Sequence, residues 1–313
     1  MLSLVFLGTG AGIPSPARNL SAIWLGYEEA SLLFDCGEGT QRQLQKSGIS
    51  YMSIDHIFIT HWHADHWAGI IGLMQTMNLE GRTKPLHIYG PTAEKMVADI
   101  LDLDYWGPRF PIEAHDVPYR GAQLSEVLRS EKFSILSVPV AHTVPAVAYG
   151  FREYDKTNVD IALAESRYGL KQGPLVGQLK EKGSVVFKGK TITLEDVALR
   201  KPGLSAVYSG DTKFSKNLVA LAMGADLLIH DSTFDEEKEG IGHAGAADAG
   251  KAAAAAGAKF LVLTHFSRRY QDVQPLVDAA KAVFPSTAAA ADFLRVELKK
   301  GEPPKLLYRE RKR

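Results

Sequence analysis

Apolar positions along this chain follow two spacings, and the order in which they alternate sets the expected architecture. Short apolar runs rich in Val, Ile, Leu and Phe predict strands at 2–8, 22–27, 31–35, 55–60, 86–90, 132–140, 146–152, 204–209, 225–230 and 259–264. Helical spacing predicts helices at about 38–47, 66–79, 92–102, 215–222, 244–256 and 273–283. The fifth of these holds the Ala252 to Ala256 run, whose intrinsic helix propensity is high. Several closely spaced strands open the chain, and strands then alternate with helices in both halves. The expected fold is α/β, with two mixed sheets packed face to face and helices outside, an αββα sandwich. Periodicity alone also allows a doubly wound sheet.

Residues 154–200 break the alternation. They contain Gly169, Gly173-Pro174, Gly177, Gly183 and Gly189, and few apolar residues in a clear period. So long a stretch between two good strands exceeds an ordinary connection, which predicts an insertion with a function of its own in an otherwise single domain spanning 1–313.

Composition narrows the class. The chain has 313 residues, 45% hydrophobic and 23% charged, with no run of apolar residues long enough to span a bilayer. Its start, Met1-Leu2-Ser3-Leu4-Val5-Phe6, lacks the basic and small-residue features of a signal peptide, so a cytoplasmic protein with no membrane association is expected. The single cysteine, Cys36, excludes an internal disulfide and a thiolate zinc site, and reads as a small core residue. With 36 basic and 36 acidic residues, the chain is not a polyanion binder over its whole surface. The basic residues are unevenly placed, however. Between Arg167 and Lys190 six stand against Glu181 alone, which suggests that the insertion holds a polyanion. From Arg295 to Arg313 there are eight basic and three acidic residues, read as a solvated tail.

The chemistry starts at His61-Trp62-His63-Ala64-Asp65-His66, directly after the apolar run Ile57-Phe58-Ile59-Thr60. Neutral imidazole and carboxylate suit zinc, and four such donors at the end of a buried strand can help hold two ions side by side. Two adjacent ions can clamp the attacking and leaving oxygens of a hydrolytic displacement. Further polar residues stand just past apolar strands, where ligand sites of α/β sheets collect: Asp35, His142, Asp211 and His265. Each alone would serve as a cap or a hydrogen-bonded core residue, but together with 61–66 they describe a metallohydrolase centre.

This combination resembles the metallo-β-lactamase superfamily over nearly the full chain. Phe34-Asp35-Cys36-Gly37-Glu38-Gly39-Thr40-Gln41-Arg42-Gln43, Ser209-Gly210-Asp211-Thr212 and Leu263-Thr264-His265-Phe266-Ser267 are similar to segments of the ribonuclease Z family, tRNA 3′-processing endonucleases, in their short form. Gly173-Pro174-Leu175-Val176-Gly177-Gln178-Leu179-Lys180 looks like the tip of that family's flexible tRNA-binding arm. The resemblance implies a metallo-β-lactamase sandwich with a protruding arm at 154–200 that acts on precursor tRNA. It implies two Zn2+ per subunit, with Mn2+ or another divalent ion as an alternative. His61, His63 and His142 would hold one ion, Asp65, His66 and His265 the other, and Asp211 would bridge. Asp65 and His243 are the expected catalytic residues, His243 as general acid to the departing 3′ oxygen. Asp231 would orient His243, and Asp35 would orient the site without binding metal. Arg18, Asn19, Gly173, Pro174, Lys180 and Lys182 are the expected substrate contacts, and a homodimer is the expected assembly.

Some positions depart from the family pattern. Pro16 stands where many members carry Lys in the loop Pro14-Ser15-Pro16-Ala17-Arg18-Asn19, which bears on how a tRNA already ending in CCA is treated. Trp62 and Ala64 replace the more usual Leu and Gly, and His243 is followed by Ala-Gly rather than Ser-Thr. No ligand is lost. The competing activities are a general phosphodiesterase or other small-molecule hydrolase, for which a basic arm has no use, and a non-catalytic RNA-binding subunit, which would have lost ligands. His56, His87, His115 and His230 match no ligand position and read as structural.

Overall fold

A computed structural model describes residues 1–103, 107–235 and 242–309, so the last four residues of the C-terminal basic run lie outside the described residues. Contacts divide the chain into two compact units, Met1–Arg152 with Leu204–Arg313, and Glu153–Gly203.

The larger unit is built on two sheets. In spatial order the first contains Lys305–Leu307, Arg295–Leu298, Leu2–Gly8, Ala22–Tyr27, Ala30–Phe34, His56–Phe58, Leu86–Gly90 and Ile112–Asp116. The second contains Thr287–Ala289, Leu261–Thr264, Leu227–Asp231, Ser205–Tyr208, Val147–Glu153, Phe133–Pro139 and Ser125–Arg129. Apolar side chains from both, among them Phe6, Phe34, Phe58, Tyr149, Phe151 and Ile229, form one core between the sheets. The helices Thr40–Ser47, Gly69–Leu79 and Ala93–Leu101 contribute Leu44, Leu73, Met74 and Val97 to a layer on the first sheet's outer face. Lys216–Leu221, Ala246–Ala256 and Gln274–Lys281 supply Leu218, Ala253 and Leu276 to the matching layer on the second. This is the αββα sandwich of two mixed sheets. Cys36 is fully buried in the first outer layer, and burial pushes its thiol up to about 12.

Both sheets contain parallel runs, and their C-terminal ends position the polar residues that follow. Ala30–Phe34, His56–Phe58, Leu86–Gly90 and Ile112–Asp116 are parallel neighbours, as are Ser205–Tyr208, Leu227–Asp231, Leu261–Thr264 and Thr287–Ala289. The helix expected over 66–79 is interrupted into Ala64–Trp67 and Gly69–Leu79. The break follows from close approach: a Cβ on Gly69 would lie 2.2 Å from the Gly37 carbonyl oxygen, and the Gly69 amide donates to Cys36.

Two sequence expectations change here. The C-terminal basic run is not simply a solvated tail, because Arg295–Leu298 pairs with the first strand and Lys305–Leu307 pairs with it in turn. The weak apolar period of 154–200 hides a small fold of its own. The unit Glu153–Gly203 contains helices Ile161–Tyr168 and Pro174–Lys182 and two two-stranded sheets, Lys156–Val159 with Ala198–Lys201 and Ser184–Phe187 with Lys190–Thr193. Val159, Ala164, Leu170, Val176, Leu179, Ile192 and Val197 form its core. With elements of four to nine residues, each contributes at most two core positions, too few to establish a period. No helix among the described residues is long and apolar enough to cross a membrane.

Candidate metal centre

The chain leaves the strand His56–Phe58 and turns so that His63 takes the N-cap position of the helix Ala64–Trp67, with no capping bond from its side chain. His61 and His66 are thereby buried, and Asp65 lies at the cavity wall. His142 follows Phe133–Pro139 and Asp211 follows Ser205–Tyr208. Gly210 makes the turn into Asp211 with φ of 58°, and a Cβ there would come within 2.7 Å of Thr60. His265 itself adopts φ of 60° at the end of Leu261–Thr264, a conformation uncommon outside glycine.

These residues form two donor groups. In one, His63 Nδ1 lies 3.1 Å from both His61 Nε2 and His142 Nε2. In the other, His265 Nε2 lies 3.2 Å from His66 Nε2 and 3.3 Å from Asp65 Oδ2. Asp211 touches both: its Oδ2 is 3.6 Å from His61 Nε2 and 3.3 Å from His66 Nε2, and its Oδ1 is 3.3 Å from His265 Nε2. Donors about 2.0–2.1 Å from a tetrahedral zinc are separated by about 3.3 Å, so the spacing fits ligand sets of one ion each. Asp211 Oδ1 is buried without a hydrogen-bond partner, an expensive state for a carboxylate oxygen that a cation at this point would relieve. The residues present therefore fit divalent metal.

Imidazole orientation is fixed from behind. His66 Nδ1 donates to Asp35 Oδ2 at 2.7 Å, His142 Nδ1 donates to the Gly242 carbonyl at 2.8 Å, and His61 Nδ1 is 3.1 Å from Thr60 Oγ1. His265 Nδ1 bonds Thr233 Oγ1 at 2.7 Å. Each of these rings consequently turns Nε2 toward the centre, the arrangement that fixes the tautomer of a metal-binding histidine. Asp35, at φ of 55°, also accepts from Thr60 N, Thr60 Oγ1 and Tyr208 Oη.

The electrostatics follow from concentrating carboxylates in a dry place. Burial opposes the charge on Asp211, but His265, His66 and His61 outweigh it and hold the acid well below the usual carboxylate range. Burial likewise works against a proton on His265, yet Asp211, Asp231 and Asp65 push it up to about 10. His66 is raised in the same sense, with Asp211 and Asp35 overcoming burial. His61 is lowered well below its ordinary value by burial and by His66. The site demands positive charge beside Asp211, and ligand imidazoles supply their lone pairs only when neutral, so a dication meets the demand better than protons do.

His243 sits at the cavity edge, its Nδ1 2.9 Å from Asp231 Oδ2 and 3.2 Å from Thr233 Oγ1. Burial lowers its proton affinity, but Asp231 and Asp211 reverse this and raise its pKa. With His63, Asp65, Asp211, Thr233 and His265 it lines a cavity of about 250 Å3. Thr233 was invisible to sequence reasoning, since a threonine two residues past a strand carries no metal signal.

Of the expected substrate contacts, Arg18 stacks over Phe266 and donates to Thr9 Oγ1 and the Ala290 carbonyl, while Asn19 donates to the Glu38 carbonyl. In the smaller unit, Gly173 precedes Pro174 at the first turn of Pro174–Lys182, and Lys180 donates to Asn158 Oδ1 while Lys182 is exposed.

Comparison with known proteins agrees with this architecture. The profile of the beta-lactamase superfamily domain matches residues 190–266, and that of the anti-Pycsar protein Apyc1 matches residues 2–101. The crystal structure of human tRNase Z, short form, superposes with a TM-score of 0.68 at 28% identity, covering 95% of this chain and 99% of that one. The metallo-beta-lactamase fold protein YhfI from Bacillus subtilis superposes with a TM-score of 0.67 at 21% identity, covering 94% of this chain and 98% of that one, and shares the fold. Ribonuclease Z of Methanothermobacter thermautotrophicus is 40% identical over 308 residues, 96% of this chain and 97% of its own. That of Archaeoglobus fulgidus is 37% identical over 306 residues, 95% of this chain and 98% of its own. With identity at this level sustained along almost its whole length, the chain belongs to the ribonuclease Z family.

Proposed function

We infer that this protein is a metal-dependent endoribonuclease that removes 3′ trailers from precursor tRNA, leaving a 3′-hydroxyl on the tRNA and a 5′-phosphate on the trailer. The observation that carries the reading is Asp211, set against both histidine groups with one oxygen unsatisfied, in a chain of this family. His61, His63 and His142 would hold one Zn2+ and Asp65, His66 and His265 a second, with Asp211 available as a donor to both; Mn2+ is the alternative ion. Bound there, the ions supply an acidified water and stabilisation of negative charge growing on the phosphate.

The remaining work belongs to the chain's own side chains. His243 holds its proton through Asp231 and delivers it from Nε2 to the 3′ oxygen as the phosphorus–oxygen bond breaks, so that the tRNA leaves as a neutral alcohol. Thr233 keeps His243 and His265 in fixed orientation. Asp65 combines its ligand role with alignment of the attacking water. Residues 154–200 act as the tRNA-binding arm, with Gly173, Pro174, Lys180 and Lys182 contacting the RNA backbone, and Arg18 and Asn19 serve the end to be cut. The enzyme works in the cytoplasm as a homodimer, each arm presenting substrate to the partner's site. Lysine contacts to phosphate make binding fall steeply with salt.

The test is incubation of purified protein with a 3′-extended tRNA precursor, followed by end-group analysis. Trimmed tRNA with a free 3′-hydroxyl and a 5′-phosphorylated trailer is expected. Turnover of small phosphodiesters without cleavage of the precursor would replace this reading with that of a general phosphodiesterase.

A further inference from the structure

Two parallel strands of the first sheet, Leu86–Gly90 and Ile112–Asp116, bring a second donor group together on one face. His56 opens the strand His56–Phe58 and pairs with His87, which pairs in turn with Glu113. This group shares no residue with the donor groups of the centre that begins at His61. His115 is two residues beyond Glu113, and so points to the same face of the sheet. His87 Nδ1 is 3.1 Å from His115 Nε2 and 3.3 Å from Glu113 Oε2. These are again the separations of donors around one tetrahedral ion.

The rings are held in place before any ion arrives. His87 stacks on His56 at 4.9 Å and on His115 at 5.4 Å, and Tyr89 stacks on His115 at 4.5 Å. His87 is 26% and Glu113 50% exposed, which leaves a fourth position open to water. We propose that His87, Glu113 and His115 bind a zinc-class divalent cation that clips the edge strand Ile112–Asp116 to Leu86–Gly90, separately from the catalytic centre. Two histidines and one carboxylate form a borderline-soft set that takes Zn2+ or Ni2+ in preference to Mg2+ or Ca2+. An edge strand has a neighbour on one side only, and a clip to that neighbour supplies the missing constraint.

The alternative is a direct hydrogen bond between the two imidazoles, which requires no ion. Equilibrium dialysis of the purified holoenzyme against micromolar Zn2+, with elemental analysis, separates the two. Wild type is expected to hold one more Zn2+ per chain than the His87→Ala/His115→Ala variant, with tRNA cleavage unchanged because neither residue belongs to the catalytic centre. The catalytic metal content cancels in this difference, so the outcome does not depend on how many ions that centre holds. Glu113→Gln, an isosteric change at an exposed position that leaves folding intact, is expected to weaken the extra site about tenfold or more. Identical Zn2+ content and isotherms for wild type and Glu113→Gln would overturn the proposal, whether or not the double variant folds.

Discussion

At the scale of single residues, Thr233 shows how much of the centre rests on groups that touch no metal. Its hydroxyl lies 2.6 Å from Asp231 Oδ1, 2.7 Å from His265 Nδ1 and 3.2 Å from His243 Nδ1, joining the second donor group to His243. Thr233→Val keeps the shape and strands His265 Nδ1–H, so metal affinity or activity should fall about 10–100-fold, read by metal titration and turnover of the same sample. His243→Ala should slow single-turnover RNA cleavage by about 10²–10⁴ at unchanged metal content, and an unchanged rate would reject its role as the acid. A third residue gives a stability prediction. Burial and His87 lower His56 to about 4 from 6.5, so the unfolded chain binds more protons than the fold between those values. Stability should therefore fall as pH drops from 6.5 toward 4, by no more than about 3 kcal/mol, and His56→Gln should flatten that limb of a denaturation series. That His61, His63, Asp65, His66, His142, Asp211 and His265 gather in one place was legible, because metal chemistry restricts residue type and strand ends restrict position. Thr233 was not, because its role exists only where three chain segments meet.

At the scale of elements, the strands that sequence identifies are those buried at most of their positions. Leu2–Gly8 and Leu227–Asp231 are buried at every position, and the apolar pattern gives the first to the residue. Ile112–Asp116 and Ser125–Arg129, each ending its sheet, are half exposed and carry Glu, His, Asp and Arg, so no apolar run betrays them. The same dilution concealed the helices of 153–203. That unit can be removed cleanly, because Arg152 and Ser205 are already cross-strand partners in an antiparallel pair. Replacing Glu153–Gly203 by a short Gly-containing turn should leave the larger unit folded, with unchanged circular dichroism and hydrolysis of a small phosphodiester. Cleavage of precursor tRNA should be lost. Equal loss of both activities, with the fold retained, would show that these residues act on the chemistry itself and not on RNA capture.

At the scale of the whole molecule, the donors are far apart in sequence and are drawn from both sheets, so the centre exists only when the two sheets are packed. His61, His63, Asp65 and His66 follow a strand of the first sheet, whereas His142, Asp211 and His265 follow strands of the second. Between them lie the buried carboxylates of Asp35, Asp211 and Asp231 and the nearly buried Asp65. Like charges confined in this way repel, and imidazolium protons on His66 and His265 offset them only in part. Metal binding to such a centre is therefore coupled to folding: an ion that binds the native chain at about 100 times its Kd adds about 2.7 kcal/mol. For a domain of this size, stripping metal with a chelator should lower Tm by about 5–10 °C, and adding Zn2+ back should restore it. The loss should be larger in wild type than in Asp211→Asn, where one negative charge has been removed from the space between the donor groups. An equal or smaller loss in wild type would mean that Asp211 is balanced by the protein alone, and that the two sheets hold the centre together without help from the ions.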